Sequence, residues 1–271
     1  MNKNERVGII GCGNMGTAFI EGLLSSNTFQ ADKIYVSDTD IEKIKNIQKK
    51  YKVHSDTISG LVMECNIICL IVKPKDIKTV CLEIKKFIAH NKIIISFIAG
   101  IKISRIEQIF EKDVPVLRIM PNLSVSIGKG IIGYSKGKYF PDSLLQKIAP
   151  IFKNLGFLFP INEEKMYLLT AVSGSGPGYL FYFGEIIYKI LLNNGFSHES
   201  SKKIVGYLFE GSGKMMNENE DEPGILKARV SSPGGTTVAG LEVLKKYRIE
   251  EIFREVIKTA EEKAIELSAE L

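Results

Sequence analysis

The stretch that decides the fold reads Arg6-Val7-Gly8-Ile9-Ile10-Gly11-Cys12-Gly13-Asn14-Met15-Gly16. Its first part is an apolar, β-branched run typical of a buried strand, and its last part fits the pattern G-x-G-x-x-G. An amphipathic helical pattern follows at once. In that setting the first glycine permits a tight turn, the second lets the backbone approach a pyrophosphate, and the third lets helix and strand pack closely. We therefore expect a dinucleotide to bind at Gly11, Cys12, Gly13, Asn14, Met15 and Gly16; a glycine turn without a ligand is the alternative.

An acidic residue follows the second predicted strand, Ile34 to Val36. It lies about twenty residues beyond the turn, where dinucleotide-binding units carry the residue that contacts the ribose. A carboxylate at Asp38 accepts hydrogen bonds from ribose hydroxyls and repels a 2′-phosphate, so by itself it favours NAD(H) over NADP(H). Asp40 is placed to cap the next helix instead.

The first half of the chain alternates short apolar runs with helical patterns, which is typical of a doubly wound parallel sheet of the Rossmann type. Ile67 to Val72 is nearly all apolar, as expected for a strand with both faces covered. Ligands of such sheets bind beyond the carboxyl ends of the strands. Residues at two of those ends are therefore candidates to contact the dinucleotide: Val72, Lys73, Pro74, Ala99 and Gly100. A surface lysine at a strand end is the alternative interpretation of Lys73.

The second half of the chain has a different organisation. The alternation stops near Ile161, and the remaining sequence has the pattern of long helices. A chain of 271 residues also exceeds the size at which single cores tend to divide, about 250 residues. We therefore predict an α/β fold with two domains, an N-terminal Rossmann domain with a doubly wound parallel sheet at 1–161 and an all-helical domain at 162–271.

Composition and charge exclude several classes of protein. With 45% hydrophobic and 25% charged residues, the chain is neither disordered nor a disulfide scaffold. A formal charge of +5 is too weak to indicate a nucleic-acid partner, and no apolar run reaches the roughly 20 residues of a membrane helix. The four cysteines form no C-x-x-C pair, and His54, His90 and His198 lack metal-ligand spacing. We expect a cytoplasmic protein with reduced thiols that binds no metal, membrane or nucleic acid.

Two clusters of small residues interrupt the helical half. The first, Ser173-Gly174-Ser175-Gly176-Pro177-Gly178, precedes a strongly apolar helix, and the second, Ser231-Ser232-Pro233-Gly234-Gly235-Thr236-Thr237, opens another helix. Exposed N–H groups at a helix start, with Ser and Thr hydroxyls beside them, suit a carboxylate. Ordinary N-capped connections are the alternative, although a cap needs one Ser or Thr and not a run of small residues. The clusters thus favour a small acidic ligand.

Together these motifs resemble the pyrroline-5-carboxylate reductase family, almost from end to end. The matching segments are the dinucleotide turn, Val72 to Pro74, Ser96 to Gly100, Arg118 to Asn122, Ser173 to Tyr179 and Val230 to Gly240. The two small-residue clusters are specific to that family, whereas the dinucleotide turn occurs in many others. The resemblance implies reduction of Δ1-pyrroline-5-carboxylate to L-proline by hydride from NADPH or NADH. It also implies homodimers interlocked through a helical dimerisation domain, often assembled into decamers.

The resemblance also implies roles for residues of the helical half. The residues implied to bind the substrate are Ser175, Pro177, Glu220, Ser232, Gly234, Gly235 and Thr236. Backbone groups of Ser232, Gly234 and Gly235 would hold the substrate carboxylate, and Thr237 would hydrogen-bond the ring nitrogen as the catalytic residue. An imine accepts hydride readily once it is protonated, and a hydroxyl within hydrogen-bond reach can orient or relay that proton.

Three positions depart from the family pattern. Leu123-Ser124 follows Asn122, where family members commonly have Thr-Pro. Asp38 stands where many members have a small polar residue that tolerates the 2′-phosphate, and Ile58 stands where the family often has an Asn on the adenosine side. The last two departures favour NADH over NADPH for this chain.

Two other functions stay open on the sequence alone. A β-hydroxyacid dehydrogenase shares the sheet-plus-helices plan but uses a lysine in a Gly-x-x-x-Lys pattern, which Gly211-Ser212-Gly213-Lys214 imitates only faintly. A non-catalytic dinucleotide-sensing protein would keep the fold without turnover. The intact small-residue clusters argue against both alternatives, because neither function requires them.

Overall fold

The computed structural model describes residues 5–89, 91–111 and 113–269, so His90 lies outside the described residues. One sheet contains the strands β1 Val7–Ile10, β2 Ile34–Ser37, β3 His54–Ser55, β4 Ile67–Leu70, β5 Ile93–Ser96, β6 Val116–Met120, β7 Gly130–Lys136 and β8 Gly156–Pro160. Their order across the sheet is β3-β2-β1-β4-β5-β6-β7-β8. The strand order therefore changes direction between β1 and β4, which is the point where doubly wound sheets bind their ligands.

The helices of the sheet region are α1 Asn14–Ser25, α2 Ile41–Tyr51, α3 Ile58–Glu64, α4 Ile77–Lys85, α5 Ile103–Phe110 and α6 Asp142–Lys153. After β8 come α7 Met166–Leu169, α8 Gly176–Asn193, α9 His198–Glu218, α10 Pro223–Arg229, α11 Thr236–Lys246 and α12 Ile249–Ala269. A π-helical segment, Thr170–Gly174, joins α7 to the start of α8. This arrangement confirms the predicted class, a Rossmann sheet followed by a helical region.

Both faces of the central strands are buried, as the apolar run at Ile67 to Val72 predicts. In β4, Ile67 and Cys69 belong to an apolar cluster that includes side chains of α1, α2 and α6. Ile68 and Leu70 belong to a second cluster, which includes side chains of α3, α4 and α5. Because successive side chains of a strand point to opposite faces, a strand covered by helices on both sides must be apolar throughout.

The last two strands run against the first six. β6 pairs antiparallel with β7, and β7 pairs parallel with β8. The physical reason is the length of the connection, because a parallel crossover needs a dozen or more residues. Residues 121–129 are too few for one and form a short 3-10 turn at Leu123–Ile127. Leu123 and Ser124, which depart from the family pattern, lie in that turn.

The chain divides into two compact units by its internal contacts. The sheet unit contains the described residues up to Ser175 and those from Thr259 onward, and the helical unit runs from Gly176 to Lys258. The strands end at Pro160, beside the predicted boundary, but segment 163–175 and the end of α12 group with the sheet. The compact units therefore differ in extent from the predicted domains 1–161 and 162–271, which stay a prediction.

Across residues 5–89, 91–111 and 113–269, no helix is both long and apolar enough to cross a membrane. The same ranges contain no group of three or more His, Cys, Asp and Glu side chains that could hold a metal ion.

Candidate active site

The glycine-rich turn lies between β1 and α1 and leaves no room for side chains at two of its glycines. Gly11 has φ +108°, and a Cβ there would come within 2.2 Å of the Ile71 carbonyl oxygen. A Cβ on Gly16 would come within 2.1 Å of the Gly11 carbonyl oxygen. Nothing lies within 4 Å of a Cβ built on Gly13, so the backbone there faces open space. The turn can therefore admit a phosphate group at Gly13 while α1 stays packed on the strand.

Asp38 is anchored to this turn by its own carboxylate. Its Oδ2 accepts the backbone N–H of Cys12 at 2.6 Å, and its Oδ1 accepts the backbone N–H of Asp40 at 2.8 Å. Asp40 in turn accepts the N–H of Lys43 as the N-cap of α2, which confirms its predicted capping role. The Asp38 side chain is thus held rigidly, half-buried, between the end of β2 and the turn.

A cavity of about 700 Å³ lies at the carboxyl ends of β1, β2 and β4. It brings together five of the residues predicted to bind the dinucleotide: Gly11, Gly13, Asp38, Val72 and Lys73. Ile58, at the start of α3, lines the same cavity. Because the loops after β1 and β4 flank the change of strand order, the cavity is the crevice in which such a sheet binds a nucleotide.

Several residues of this cavity were missed by the sequence reasoning. They are Thr39, Lys43, Lys75, Asp76, Thr79 and Glu83. Their signal in the sequence was weak, because polar residues in or just before α2 and α4 look like ordinary solvent-facing helix residues. Lys43 Nζ lies 3.3 Å from Asp40 Oδ2, so part of its charge is already compensated before any ligand binds.

The other predicted dinucleotide residues have different surroundings. Cys12 is buried, and burial raises the pKa of its thiol to about 12, so the thiol stays protonated at neutral pH. Asn14 is exposed at the start of α1, while Met15, Pro74 and Ala99 are half-buried. Gly100 has φ +81° and is buried, and the side on which a Cβ would lie is packed against Ser268 of α12.

The first small-residue cluster begins inside the π-helical segment, with which it shares Ser173 and Gly174. Within it, the Ser173 hydroxyl donates to the Leu169 carbonyl at 2.9 Å, and the Ser175 N–H donates to the Thr170 carbonyl at 3.0 Å. Ser175 and Pro177 are half-buried, and Pro177 lies in the first turn of α8. π-helical turns occur frequently at functional sites, because they change which side chains a helix presents along its length.

The second small-residue cluster forms the start of α11 in the helical unit. Gly235 is the N-cap residue and no side chain caps the helix, so its first N–H groups face outward. Gly234 has φ +70°, and the Gly235 N–H donates to the Ser232 carbonyl at 2.9 Å, which closes a tight turn. Thr237 is half-buried in the first turn, and Ser232 and Thr236 are exposed. An uncapped helix start of this kind can bind a carboxylate.

Glu220 is exposed in the connection between α9 and α10. Its neighbour Asp221 pairs with Arg229 at 2.5 Å, and this ion pair ties the connection to the end of α10. Helix α10 itself was not predicted, because its seven residues contain too few apolar positions to establish a period.

The Rossmann sheet, the glycine-rich turn and the Asp38 carboxylate anchored beside it are the features of a dinucleotide-dependent oxidoreductase. Over 269 residues the chain is 31% identical to pyrroline-5-carboxylate reductase 1 of Bacillus subtilis (strain 168), which covers 98% of this chain and 91% of the relative. It is also 31% identical to pyrroline-5-carboxylate reductase of Aquifex aeolicus (strain VF5), with 97% of each chain covered. The chain therefore belongs to the pyrroline-5-carboxylate reductase family.

Family models and solved structures agree with this assignment. Residues 163–267 match the model for pyrroline-5-carboxylate reductase dimerisation, and residues 6–100 match the model for NADP oxidoreductase, coenzyme F420-dependent. The Plasmodium falciparum pyrroline carboxylate reductase with NADP bound superposes with a TM-score of 0.88 at 27% identity, covering 98% of this chain and 99% of that one. The Coxiella burnetii pyrroline-5-carboxylate reductase superposes with a TM-score of 0.86 at 27% identity and the same coverage.

The chain is thus an NAD(P)H-dependent pyrroline-5-carboxylate reductase of proline biosynthesis. For the β-hydroxyacid dehydrogenase alternative, the comparisons support a similar fold alone. The 3-hydroxyisobutyrate dehydrogenase of Mycobacterium tuberculosis reaches a TM-score of 0.51 at 11% identity over 74% of this chain.

Proposed function

We propose that this enzyme reduces Δ1-pyrroline-5-carboxylate with NADH in preference to NADPH, and that it acts as an interlocked homodimer. The dinucleotide occupies the cavity at Gly11, Gly13, Asp38, Val72 and Lys73, and it supplies the hydride. The substrate lies at the small-residue clusters of the helical half. The single observation that supports the proposed cofactor preference is the position of the Asp38 carboxylate, which accepts a backbone N–H of the glycine-rich turn and one of Asp40.

The geometry at Asp38 supports NADH for an electrostatic reason. Both carboxylate oxygens already accept a backbone N–H, which fixes the carboxylate where a ribose would lie and leaves further lone pairs for ribose hydroxyls. A 2′-phosphate would approach this negative group closely, and like charges at that range repel. Ile58 offers no hydrogen bond on the same cavity wall. The Plasmodium falciparum relative carries NADP on a similar fold, so the proposed preference for NADH rests on local residues such as Asp38.

The substrate part of the proposal rests on the start of α11. The first N–H groups of this helix, from Thr236 onward, have no side-chain cap. Together with the backbone of Ser232, Gly234 and Gly235 just before them, they suit the substrate carboxylate, which is fully ionised at neutral pH. Thr237 lies in the first turn of α11, and we assign to its hydroxyl the hydrogen bond to the ring nitrogen, through which it can hold or relay the proton. The family resemblance also assigns substrate binding to Thr236, Ser175, Pro177 and Glu220. With hydride supplied by the cofactor, these residues contribute mainly orientation.

The exposed surface of the helical unit supports the homodimer. Large apolar side chains on α8 and α9 lie open, with Phe181 72% and Tyr207 75% exposed. In α8, α9, α10 and α11, the buried residues are only Gly184 and Ser201. A helical unit without a core of its own needs a second copy to cover its apolar faces. The matching dimerisation model over residues 163–267 agrees with this, and assembly of the dimers into decamers completes the proposal.

A steady-state assay of the purified enzyme tests the reaction and the cofactor together. Oxidation of NADH and of NADPH is followed with and without Δ1-pyrroline-5-carboxylate. We expect substrate-dependent turnover with both cofactors and a higher kcat/KM for NADH. Turnover that is clearly more efficient with NADPH would overturn the cofactor preference and leave the reaction intact. Absence of turnover with either cofactor would overturn the reaction.

A further inference from the structure

A carboxylate outside the cofactor cavity joins three separate segments of the sheet unit. Glu163 begins the 3-10 turn that follows β8, and its Oε1 accepts two hydrogen bonds. One comes from Nη1 of Arg118 in β6 at 2.9 Å, and the other from the backbone N–H of Ile103, at the start of α5, at 2.8 Å. The single oxygen thus connects β6, the start of α5 and the segment that leads to Ser175.

The Ile103 N–H closes one end of the loop that follows β5. This loop, residues 97–102, leaves the carboxyl edge of the sheet beside the loop after β4, because the Phe97 N–H donates to the Leu70 carbonyl at 3.0 Å. The loop after β4 lines the cofactor cavity through Val72 and Lys73. Loop 97–102 is therefore the next one along the edge that holds the dinucleotide, on the side where the nicotinamide half extends.

Burial of the Arg118–Glu163 ion pair carries a large desolvation penalty. The Arg118 side chain is 1% exposed and Glu163 is 25% exposed. Arg118 Nε is buried without a hydrogen-bond partner in the described part of the chain. Burying such a pair often contributes little to stability, and apolar residues of similar volume can replace it at no loss. A role in fixing a conformation accounts for the pair better than a role in stability does.

A second contact holds the same loop from the other side. A Cβ built on Gly100 would lie 3.0 Å from the Ser268 Cβ, so the last turn of α12 presses directly on the loop. Tyr167, in α7, lies with its ring 6.0 Å from the Arg118 guanidinium carbon, and its hydroxyl reaches Ser268 at 3.4 Å. Loop 97–102 is thus clamped between the Glu163 carboxylate and the end of α12.

From these contacts we infer that Glu163 is a positioning residue for hydride transfer. Its carboxylate fixes the loop after β5, which faces the nicotinamide half of the dinucleotide, and couples that loop to the segment carrying Ser175. This inference rests on the cofactor placement of the proposed function. It predicts that losing the carboxylate affects the distance over which hydride moves, and leaves the affinity for the adenosine half unchanged.

Three variants separate positioning from stability. Glu163→Ala removes both hydrogen bonds. Glu163→Gln keeps an oxygen acceptor of the same reach, so it serves as the conservative rescue. Lys92→Met is the matched control, because Lys92 is also a buried cation, and its Nζ donates to the carbonyls of Met63 and Cys65 at 2.9 Å each. Those carbonyls lie before β4, at the amino edge of the sheet and away from the cavity.

The measurements are kcat, KM for both substrates, the Kd of NADH, Tm, and the isotope effect on kcat with NADH deuterated at the transferred position. For Glu163→Ala we expect kcat to fall about 10- to 100-fold, since small errors in position are costly to the reaction rate. The Kd of NADH should stay within about 3-fold, and the isotope effect should increase as hydride transfer becomes rate-limiting. Glu163→Gln should recover most of kcat. Lys92→Met should lower Tm and leave kcat and the isotope effect unchanged.

The opposite results overturn the inference. The inference fails if Glu163→Ala lowers Tm but leaves kcat and the isotope effect as in the wild type. It also fails if Lys92→Met shows the same kinetic defect as Glu163→Ala. If Glu163→Ala does not fold, the double variant Arg118→Met/Glu163→Ala removes the unpaired buried charge and still leaves the Ile103 N–H unbound. That variant must show the same kinetic defect. A separate change of cofactor selectivity at Asp38 tests the cofactor placement itself, so the two failures are distinguishable.

Discussion

At the scale of single residues, several of the predicted cofactor residues have surroundings that are fixed by contacts with backbone or with another element. Asp38 is the clearest case, since backbone N–H groups of Cys12 and Asp40 hold both of its oxygens. Gly100 is another, since its backbone conformation and its contact with Ser268 both exclude a side chain. Each can be changed singly, and each change has a distinct consequence.

Replacing Asp38 with Ser should change the cofactor selectivity. Removing the carboxylate removes the charged acceptor for the ribose and the repulsion of a 2′-phosphate. A hydrogen bond to a charged group contributes about 1.5–3 kcal/mol, so we expect the NADPH-to-NADH ratio of kcat/KM to rise about 10-fold or more. Asp38→Asn keeps the size and one acceptor oxygen and should give an intermediate ratio. A ratio that stays constant while both activities fall would instead indicate a purely structural role for Asp38.

Gly100→Ala should destabilise the sheet unit. The residue has φ +81°, where a side chain costs about 1–2 kcal/mol, and the new Cβ would also meet Ser268 at 3.0 Å. Gly128→Ala is the matched control, because Gly128 has φ +69° but its nearest neighbour, the Asn154 oxygen, is 3.4 Å away. Urea unfolding should give a larger loss for Gly100→Ala than for Gly128→Ala. Equal losses would mean that the contact with Ser268 adds nothing.

At the scale of elements, each predicted site lies where a strand or helix begins or ends. The loops after β1, β2 and β4 form the cavity that we assign to the cofactor, and the start of α11 carries several of the predicted substrate residues. This placement has a common physical cause, because backbone N–H and C=O groups are free for a ligand only where regular hydrogen bonding stops. The π-helical segment before α8 interrupts regular bonding in the same way.

The start of α11 gives a prediction about Thr237. Thr237→Ala should lower kcat/KM for Δ1-pyrroline-5-carboxylate about 10- to 100-fold, because it removes the hydroxyl that we propose orients the imine proton. The Kd of NADH should change less than about 3-fold, since the cofactor cavity is lined by residues of the sheet unit. Thr237→Ser keeps a hydroxyl and should recover most of the activity. Loss of NADH binding with intact turnover would show that the substrate pocket lies elsewhere.

At the scale of the whole molecule, the two units differ in how they are stabilised. The sheet unit has two apolar clusters, one on each face. The helical unit has stacked contacts, such as Phe183 on Phe253 at 5.7 Å, but many exposed apolar side chains. The sheet unit therefore covers most of its apolar side chains itself, whereas the helical unit leaves an apolar surface suited to the proposed dimer contact.

The exposed faces of α8 and α9 predict how assembly will respond to substitution. Phe181→Glu and Tyr207→Glu place a charge where a second copy would bury apolar surface, and burying an unpaired charge is strongly unfavourable. Light scattering at micromolar concentration should report a dimer or a larger assembly for the wild type and a shift toward monomer for both variants. Lys49→Glu, on the exposed face of α2, should leave the mass unchanged. Retention of the wild-type mass by both variants would place the interface elsewhere.

Because the four cysteines are buried, we expect the free energy of unfolding to decrease at alkaline pH. Burial raises the pKa of the Cys12, Cys65 and Cys81 thiols to about 12, and it also raises the pKa of Cys69. Below pH 9 the thiols are protonated in both states, so their contribution is fully present. Between pH 9 and 12 the unfolded state releases protons that the folded state keeps, and stability falls.

A single thiol suffices to measure this effect. Cys81 lies in α4. The free energy of unfolding of the wild type should fall between pH 8 and pH 10, and in Cys81→Ala this fall should be smaller by about 1 kcal/mol. Chemical unfolding at the two pH values measures it, with the wild type as reference. An identical pH dependence in both proteins would show that this thiol ionises freely in the folded state.

By itself the sequence determined the class of sheet, and it located the glycine-rich turn, the Asp38 carboxylate after β2 and the two small-residue clusters. These features are local, because strand and helix periods, glycine positions and helix starts are determined by neighbouring residues in the chain. The reversal of β7 was not predicted, although the short connection at 121–129 contains its cause.

Only the tertiary structure decided which distant residues meet. Glu163 contacts Arg118 and Ile103, and Ser268 packs on Gly100, across separations that no local pattern encodes. The presence of Arg118 inside the apolar strand β6 indicated a buried ion pair, but the sequence did not identify Glu163 as its partner. The physical reason is that such contacts form when separate elements pack on one sheet, so they depend on the whole fold and not on the segment.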